Sequence, residues 1–298
     1  MKRWIPLALA LLAATAILLK VYASRTERAL DEAMAQGIKQ EDRSAPEDAP
    51  EETAPPNREP QKDSPPPKAV ANDEASSEKR ARPEPVENTG PLICIDAGHQ
   101  AQANPEPEII APSSTETKAK VASGTRGVQT GIDEYVFTLR FTMLLKSKFE
   151  AAGYRVGLVR DRHDVDISNR ERAEIANAMG ADIYLRIHGN GSSDSSVRGI
   201  ETYYPSPQNP DIGRLSAPSK LLSTLILEDM AHATGSRARG AFARDDLTGT
   251  NFATMPSSLI ECGYMSNPEE DALLNDENYL NRLADGIVQG VGEYFQRQ

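Results

Sequence analysis

Two of the chain's four histidines close apolar runs: His99 in "ICIDAGHQ" and His188 in "DIYLRIHGN". Two carboxylates stand at comparable places, Glu134 at the head of "EYVFTLRF" and Glu261 read as ending the apolar strand in "SSLIECGY". Two imidazoles and one carboxylate, with a fourth position open, form the donor set of a hydrolytic zinc site. A metal held that way lowers the pKa of its water towards about 7 and polarises a carbonyl. A second carboxylate outside the donor set can carry the proton from that water to the leaving group. His99, Glu134, His188 and Glu261 supply both needs. Asp96, three residues before His99, is a candidate to orient a ligand imidazole; a loop cap at a strand end is its plainer role. His163, in the charged run "RDRHDVD", reads as solvent-facing, and His232, in "DMAHATG", as a partner for a helix dipole.

Secondary structure must bring these groups together. "LICI" is a continuous apolar run, as in a strand covered on both faces. "GIDEYVFTLRFTMLLKSKFEAAGY" reads as a long helix with Val136, Leu139, Met143 and Leu144 on one broad face, stopping at Gly153. "YRVGLVR" follows as a strand. Ser168 and Glu171 have the spacing of a capping box, opening a helix that runs to Gly180. "DIYLRIHGN" alternates, with Ile183, Leu185 and Ile187 on one face and Tyr184, Arg186 and His188 on the other. "GIETYYP" and "SSLIECGY" are further strands, separated by a helix from about Lys220 to Thr234. A last helix runs through Tyr279 to Phe295. This alternation predicts an α/β fold, a single domain with a mostly parallel central sheet flanked by helices.

In such sheets ligands bind beyond the carboxyl ends of the strands. His99, His188, Glu261 and Glu134 then fall at one edge. Any one of them alone would read as a solvated loop residue, and their coincidence is what singles them out. Cys262 adjoins Glu261, but alternation turns it to the opposite face, which argues against a thiol nucleophile. "NRERAEIAN" reads as a helix with its own ion pairs, giving Arg172 and Asn177 surface or packing roles.

The 298 residues carry a net charge of -11, which argues against nucleic acid as a partner. Cys94 and Cys262 are the only cysteines, so there is no disulfide framework. Both read as buried thiols, with a single bridge as the alternative if their strands are neighbours. Residues 1–23 hold Lys2 and Arg3 followed by the uncharged run Trp4 to Leu19. This is expected to be an N-terminal apolar helix anchoring the chain to a membrane, with Lys2 and Arg3 on the cytoplasmic side. Cleavage as a signal peptide after Ala23 is the competing reading. Both place the rest of the chain in an extracytoplasmic location. Residues 24–90 contain no aromatic, none occurring between Tyr22 and Tyr135, and ten of the 21 prolines lie between 41 and 90. So little apolar surface cannot offset the entropy of ordering, which predicts a disordered spacer. Residues 91–298 form the expected folded domain.

Pro91 to Phe295 resembles the catalytic domain of the zinc-dependent N-acetylmuramoyl-L-alanine amidases, the family often called amidase type 3. The stretches that carry the resemblance are "IDAGHQ", "GIDEYVFTL", "ERAEIANAMGADIYLRIHGN", "VRGIETYY" and "MPSSLIECGYMSNPEED", in that order across the domain. The resemblance implies zinc ligands at His99, Glu134 and His188, with Glu261 as the catalytic carboxylate. It implies peptidoglycan as substrate, cut at the amide between the lactyl group of N-acetylmuramic acid and the L-alanine of the stem peptide.

The chain departs from the family in places. Gln100 stands where many members have a second glycine pair. Thirty-five positions separate His99 from Glu134, so Glu108 and Glu116 compete for the ligand role. Glu134 is preferred because it opens a helix and lies five residues before Leu139, as the family's ligand does. The long segment between is expected either to shape the substrate groove or to be a mobile loop. Arg186 replaces a serine common at that place; it is expected near a substrate carboxylate or paired with an acid.

Two other functions suit the same residues: a zinc peptidase cutting within the stem peptide, and a non-catalytic wall-binding regulator. The presence of all four site residues speaks against the second. The domain has no tryptophan, which leaves tyrosines as the main aromatic surface for sugar stacking. No wall-binding repeat is expected after Phe295, so substrate choice is expected to rest on the groove itself.

Overall fold

The computed structural model describes residues 89–298. The expected apolar anchor and the spacer lie outside the described residues, apart from Thr89 and Gly90. Among the described residues, no helix is long and apolar enough to cross a membrane.

In chain order the strands are β1 (Leu92–Ala97), β2 (Asn104–Ile109), β3 (Thr117–Val121), β4 (Arg155–Leu158), β5 (Ile183–Asn190), β6 (Ile200–Tyr204), β7 (Ala238–Ala243) and β8 (Ser257–Tyr264). The helices are α1 (Glu134–Ala151), α2 (Asn169–Met179), α3 (Ser216–Thr234), α4 (Thr248–Asn251), α5 (Pro268–Leu273) and α6 (Glu277–Gln296). Six strands form one sheet in the order β4-β1-β5-β8-β6-β7, and β2 and β3 form a separate antiparallel hairpin. β4, β1, β5 and β8 run parallel, β6 is antiparallel to β8, and β7 is parallel to β6. The mixed, mostly parallel sheet flanked by helices is the one that the strand–helix alternation predicts.

The two faces of this sheet differ in chemistry, because successive strand residues point to opposite sides. One face presents Ile93, Ile95, Ile183, Leu185, Ile187, Ile260 and Cys262 to α1, α3 and α6, forming the main core. The other buries a smaller cluster, in which Cys94 and Tyr184 meet Ala173 and Ala176 of α2 and Ala253 beyond α4. Both cysteines are free and buried, and they belong to these opposite faces with β5 between their strands. A bridge between them is therefore not formed.

α1 buries Phe137, Phe141, Leu145 and Phe149, while Met143 is 44% exposed. Of the expected face of Val136, Leu139, Met143 and Leu144, Leu139 is buried and Leu144 packs against the core, but Met143 points away from it. Three phenylalanines and Leu145 at successive i+4 positions set the buried stripe, each side chain gaining about 1.5–3 kcal/mol from burial. The capping box at the start of α2 is present as expected, Ser168 and Glu171 each bonding the other's backbone. Four elements fall outside the expected list: β7, α4, α5 and the β2–β3 hairpin. The hairpin occupies the segment between His99 and Glu134. It is an ordered element pinned to the domain, through Asn251 Nδ2 to Ile110 O at 2.9 Å and Asn169 Nδ2 to Lys120 O at 2.9 Å.

Candidate functional site

β1 ends at Ala97, and the chain turns at once through Gly98 to His99, whose φ of 59° lies in the left-handed region. Gly98 is required here by close approach. A Cβ on it would lie 2.5 Å from Cε1 and 2.7 Å from Nε2 of His188. Its N–H donates to Ile187 O at 2.9 Å, fixing the end of β1 to β5. His188 projects from β5, and Glu134 is the first residue of α1.

The three side chains converge. His99 Nε2 lies 3.3 Å and His188 Nδ1 3.1 Å from Glu134 Oε1. One donor atom from each residue lies within 4.8 Å of the others, the only such group of three or more among the described residues. The second Glu134 oxygen accepts from Thr125 N at 2.8 Å, and Gly189 N donates to Oε1 at 3.0 Å. Glu108 and Glu116 are elsewhere: Glu108 accepts from the backbone of Arg170, and Glu116 is exposed.

The donor chemistry fits a cation. His99 Nδ1 faces the carbonyl of Ala122 at 2.8 Å and must carry its proton there. Nε2 is then the ring atom left to face the Glu134 carboxylate, and either a proton or a metal cation between them satisfies both. His188 Nε2 is buried with no hydrogen-bond partner in the protein. Burial opposes ionisation of Glu134, but its bonds to His188 and His99 hold its pKa well below the usual carboxylate range. Burial and the neighbouring His99 push His188 down to about 4, so its ring is neutral and able to ligate. For His99 the bond and charge of Glu134 outweigh burial and raise its pKa.

Glu261 lies beside His188, its register partner across β5 and β8. Parallel neighbours in register share a face, so its carboxylate stands next to the ligand set without joining it. It sits within β8, which runs on to Tyr264, rather than at its end. Its Oε2 is buried without a partner. Burial first, then the charges of Glu134 and Glu201, push its pKa well above the ordinary carboxylate value. A carboxyl group held this way can carry a proton near neutral pH.

Asp96 does not touch an imidazole. It is fully buried and accepts from Arg172 at 2.6 Å, Tyr184 Oη at 3.0 Å and Arg186 Nε at 3.2 Å. Its two arginines overcome its burial and hold its pKa far down. Arg186 therefore pairs with an acid of the protein, and bonds Asn169 as well. Of the surface and packing roles expected for Arg172, the structure shows the buried one, since its side chain is wholly enclosed. It donates to the carbonyls of Ala97 and His99, both at 2.9 Å. Arg160, which sequence reasoning passes over, donates to the carbonyls of Ala97 and Gly98. Two guanidinium groups thus grip the turn that carries His99. Spacing held the one available signal: Arg172 shares a helix face with buried Ala173 and Ala176. Asn177 packs as expected, bonding Phe252 O and Thr254 N. His163 is exposed and His232 lies in the last turn of α3.

A cavity of about 360 Å³ opens beside the two histidines. Lys118 and Ala119 of the hairpin form one wall, and Leu247, Thr248 and Leu259 another. The hairpin thus lines this cavity. Lys118 bonds Asp246 across it at 3.0 Å.

Residues 93–293 match the model of a family described as N-acetylmuramoyl-L-alanine amidase. An N-acetylmuramoyl-L-alanine amidase of Mycobacterium tuberculosis is 29% identical over 226 residues, covering 72% of this chain and 90% of that protein. The amidase LytC of Bacillus subtilis is 30% identical over 166 residues, 56% of this chain and 32% of the longer relative. Among solved structures, the amidase Ami1 of Mycobacterium smegmatis superposes with a TM-score of 0.63 at 27% identity, over 70% of this chain and 98% of that one.

Proposed function

The chain belongs to the N-acetylmuramoyl-L-alanine amidase family, and from that premise we propose that it hydrolyses peptidoglycan at the muramoyl–L-alanine amide through a single zinc centre. The ligands are His99, Glu134 and His188, and Glu261 is the catalytic acid–base. The observation that carries this reading is the convergence of three donors within 4.8 Å, with an unpaired carboxylate on the adjoining strand.

Bound zinc would supply Lewis acidity towards the lactyl carbonyl and lower the pKa of a water beside it. The protein's residues do the remainder. Glu134 and the two imidazoles would hold the metal, and the hydrogen bond from His99 to Ala122 O fixes the ring that offers Nε2. Glu261 accepts the proton of the attacking water and passes it to the alanine nitrogen as the C–N bond breaks. The products are a muramic acid carboxylate and a stem peptide with a free L-alanine amine. A base that must also act as an acid benefits from a raised pKa, which its burial and two neighbouring carboxylates provide.

The reading places the domain outside the cytoplasm, with residues 1–23 as its membrane anchor and 24–90 as its spacer towards the wall. Mass analysis of products from purified peptidoglycan tests the cleavage site. Intact stem peptides beginning with L-alanine, together with peptide-free glycan, are expected. New ends within the stem peptide would instead make the enzyme a peptidase.

A further inference from the structure

We propose that Tyr203 and Phe242 form a stacking platform for a sugar ring of the glycan strand, on the open sheet face beside Glu261. The inference rests on the peptidoglycan reading above and assigns the side of the site on which the polymer lies.

Strand register puts the platform in line with the catalytic residues. Glu261 of β8 faces Glu201 of β6, and Tyr203 pairs with Phe242 of β7. Alternation therefore turns Glu261, Glu201, Tyr203 and Phe242 to one face. Phe242 stands about 10 Å from the strand of Glu261, two strand spacings across the sheet. α3 covers the opposite face, where Thr202 donates to Ser223 O. On the near face Phe242 remains 44% exposed.

The rings are held in position. Phe242 lies over Gly240, where a Cβ would come 2.6 Å from the ring's Cζ. Any other residue at 240 would lift the ring off the sheet. Tyr203 and Phe242 have centroids 6.2 Å apart and planes 37° apart. Tyr203 Oη donates to Glu201, and the Arg244 guanidinium sits 5.2 Å over its ring. Arg244 in turn bonds Asp246, which lines the cavity beside the histidines. The Arg244–Asp246 pair thus links the platform to one residue of the cavity wall.

This surface suits a sugar more than a peptide. A glycan strand extends beyond the reacting sugar, so it needs an open face, whereas a short stem peptide can enter an enclosed cavity. The axial C–H bonds of a pyranose complement the negative face of an aromatic ring. Arg244 and Asp246 at the rim offer the donor and the acceptor that sugar hydroxyls require.

The test is calorimetric binding to the full-length chain of peptide-free glycan oligomers and, separately, of the free stem peptide. The wild-type chain is expected to bind the glycan, and Phe242→Leu, which keeps apolar bulk but removes the π face, to weaken it about tenfold. Phe242→Tyr should bind as the wild type, and neither variant should alter stem-peptide binding or the melting temperature. Absence of glycan binding by the wild type, or unchanged glycan affinity in Phe242→Leu, would overturn the proposal. So would equal loss of peptide binding. Because peptide-free glycan is not cleaved, a chain that binds it without hydrolysing peptidoglycan would sink the catalytic reading and leave this one standing.

Discussion

Arg172 donates to the carbonyl of His99 at 2.9 Å, and His99 is the one described residue other than glycine with a positive φ. A left-handed backbone at such a residue persists when its surroundings over-determine it. Arg172 also bonds Asp96 and Ala97 O, so one buried guanidinium ties the strand end to the turn that presents the imidazole. The enclosure of this ion pair makes it costly to break, since removing one partner leaves a buried charge unpaired.

Asp96→Asn is therefore expected to destabilise the domain by about 3–5 kcal/mol, read from urea unfolding at pH 7. The pH dependence follows from the direction of the shift. Asp96 has a depressed folded pKa, so its contribution is complete above the unfolded value of about 4 and declines as pH falls towards the folded one. The stability gap between wild type and variant should narrow between pH 5 and pH 2 (about one unit above and two below the unfolded value). A constant gap across that range would mean Asp96 is not the ionised partner.

His99→Ala and His188→Ala should each abolish stoichiometric zinc, because a site left with two ligands seldom retains the metal. Elemental analysis of the purified variants decides this. Full zinc in either one would remove that residue from the ligand set.

Glu261→Gln is expected to keep its metal and its fold while losing about 10²–10⁴ in turnover. Zinc content and single-turnover cleavage should be measured on the same preparation. Loss of zinc would turn Glu261 into a ligand and reopen the role of Glu134; retained turnover would place the base elsewhere.

Gly98→Ala separates site geometry from global stability. Its new Cβ meets the His188 ring and the Ile187 carbonyl at 2.5–2.7 Å. Zinc affinity should fall at least tenfold, the lower end for a displaced ligand support. Far-UV circular dichroism should be unchanged. Wild-type affinity would show that the turn can relax without moving the imidazole.

A chain beginning at Thr89 should fold and cleave muropeptides at the rate of the longer protein. The start matters by two residues, because Arg155 Nε donates to Gly90 O at 3.0 Å. An unfolded or inactive truncated chain, supplied with zinc, would make residues 24–88 structural.

By itself the sequence determined the alternation of strands and helices, the capping box at Ser168, and the residues of the candidate site. These are local properties. A period of two turned His188 and Cys262 to known sides of their strands. The buried stripe of α1 was less legible, since Val136 and Met143 are as apolar as the phenylalanines that displace them. Only the tertiary structure decided the role of Arg172, because a charged residue on an amphipathic helix reads as solvated until a buried acid is found opposite it. Asp96 lies 76 positions away along the chain. The pairing of Glu261 with Glu201, and the platform beyond it, were likewise decided by strand order. β6 runs antiparallel to β8, and no periodicity within either strand records which neighbour it meets.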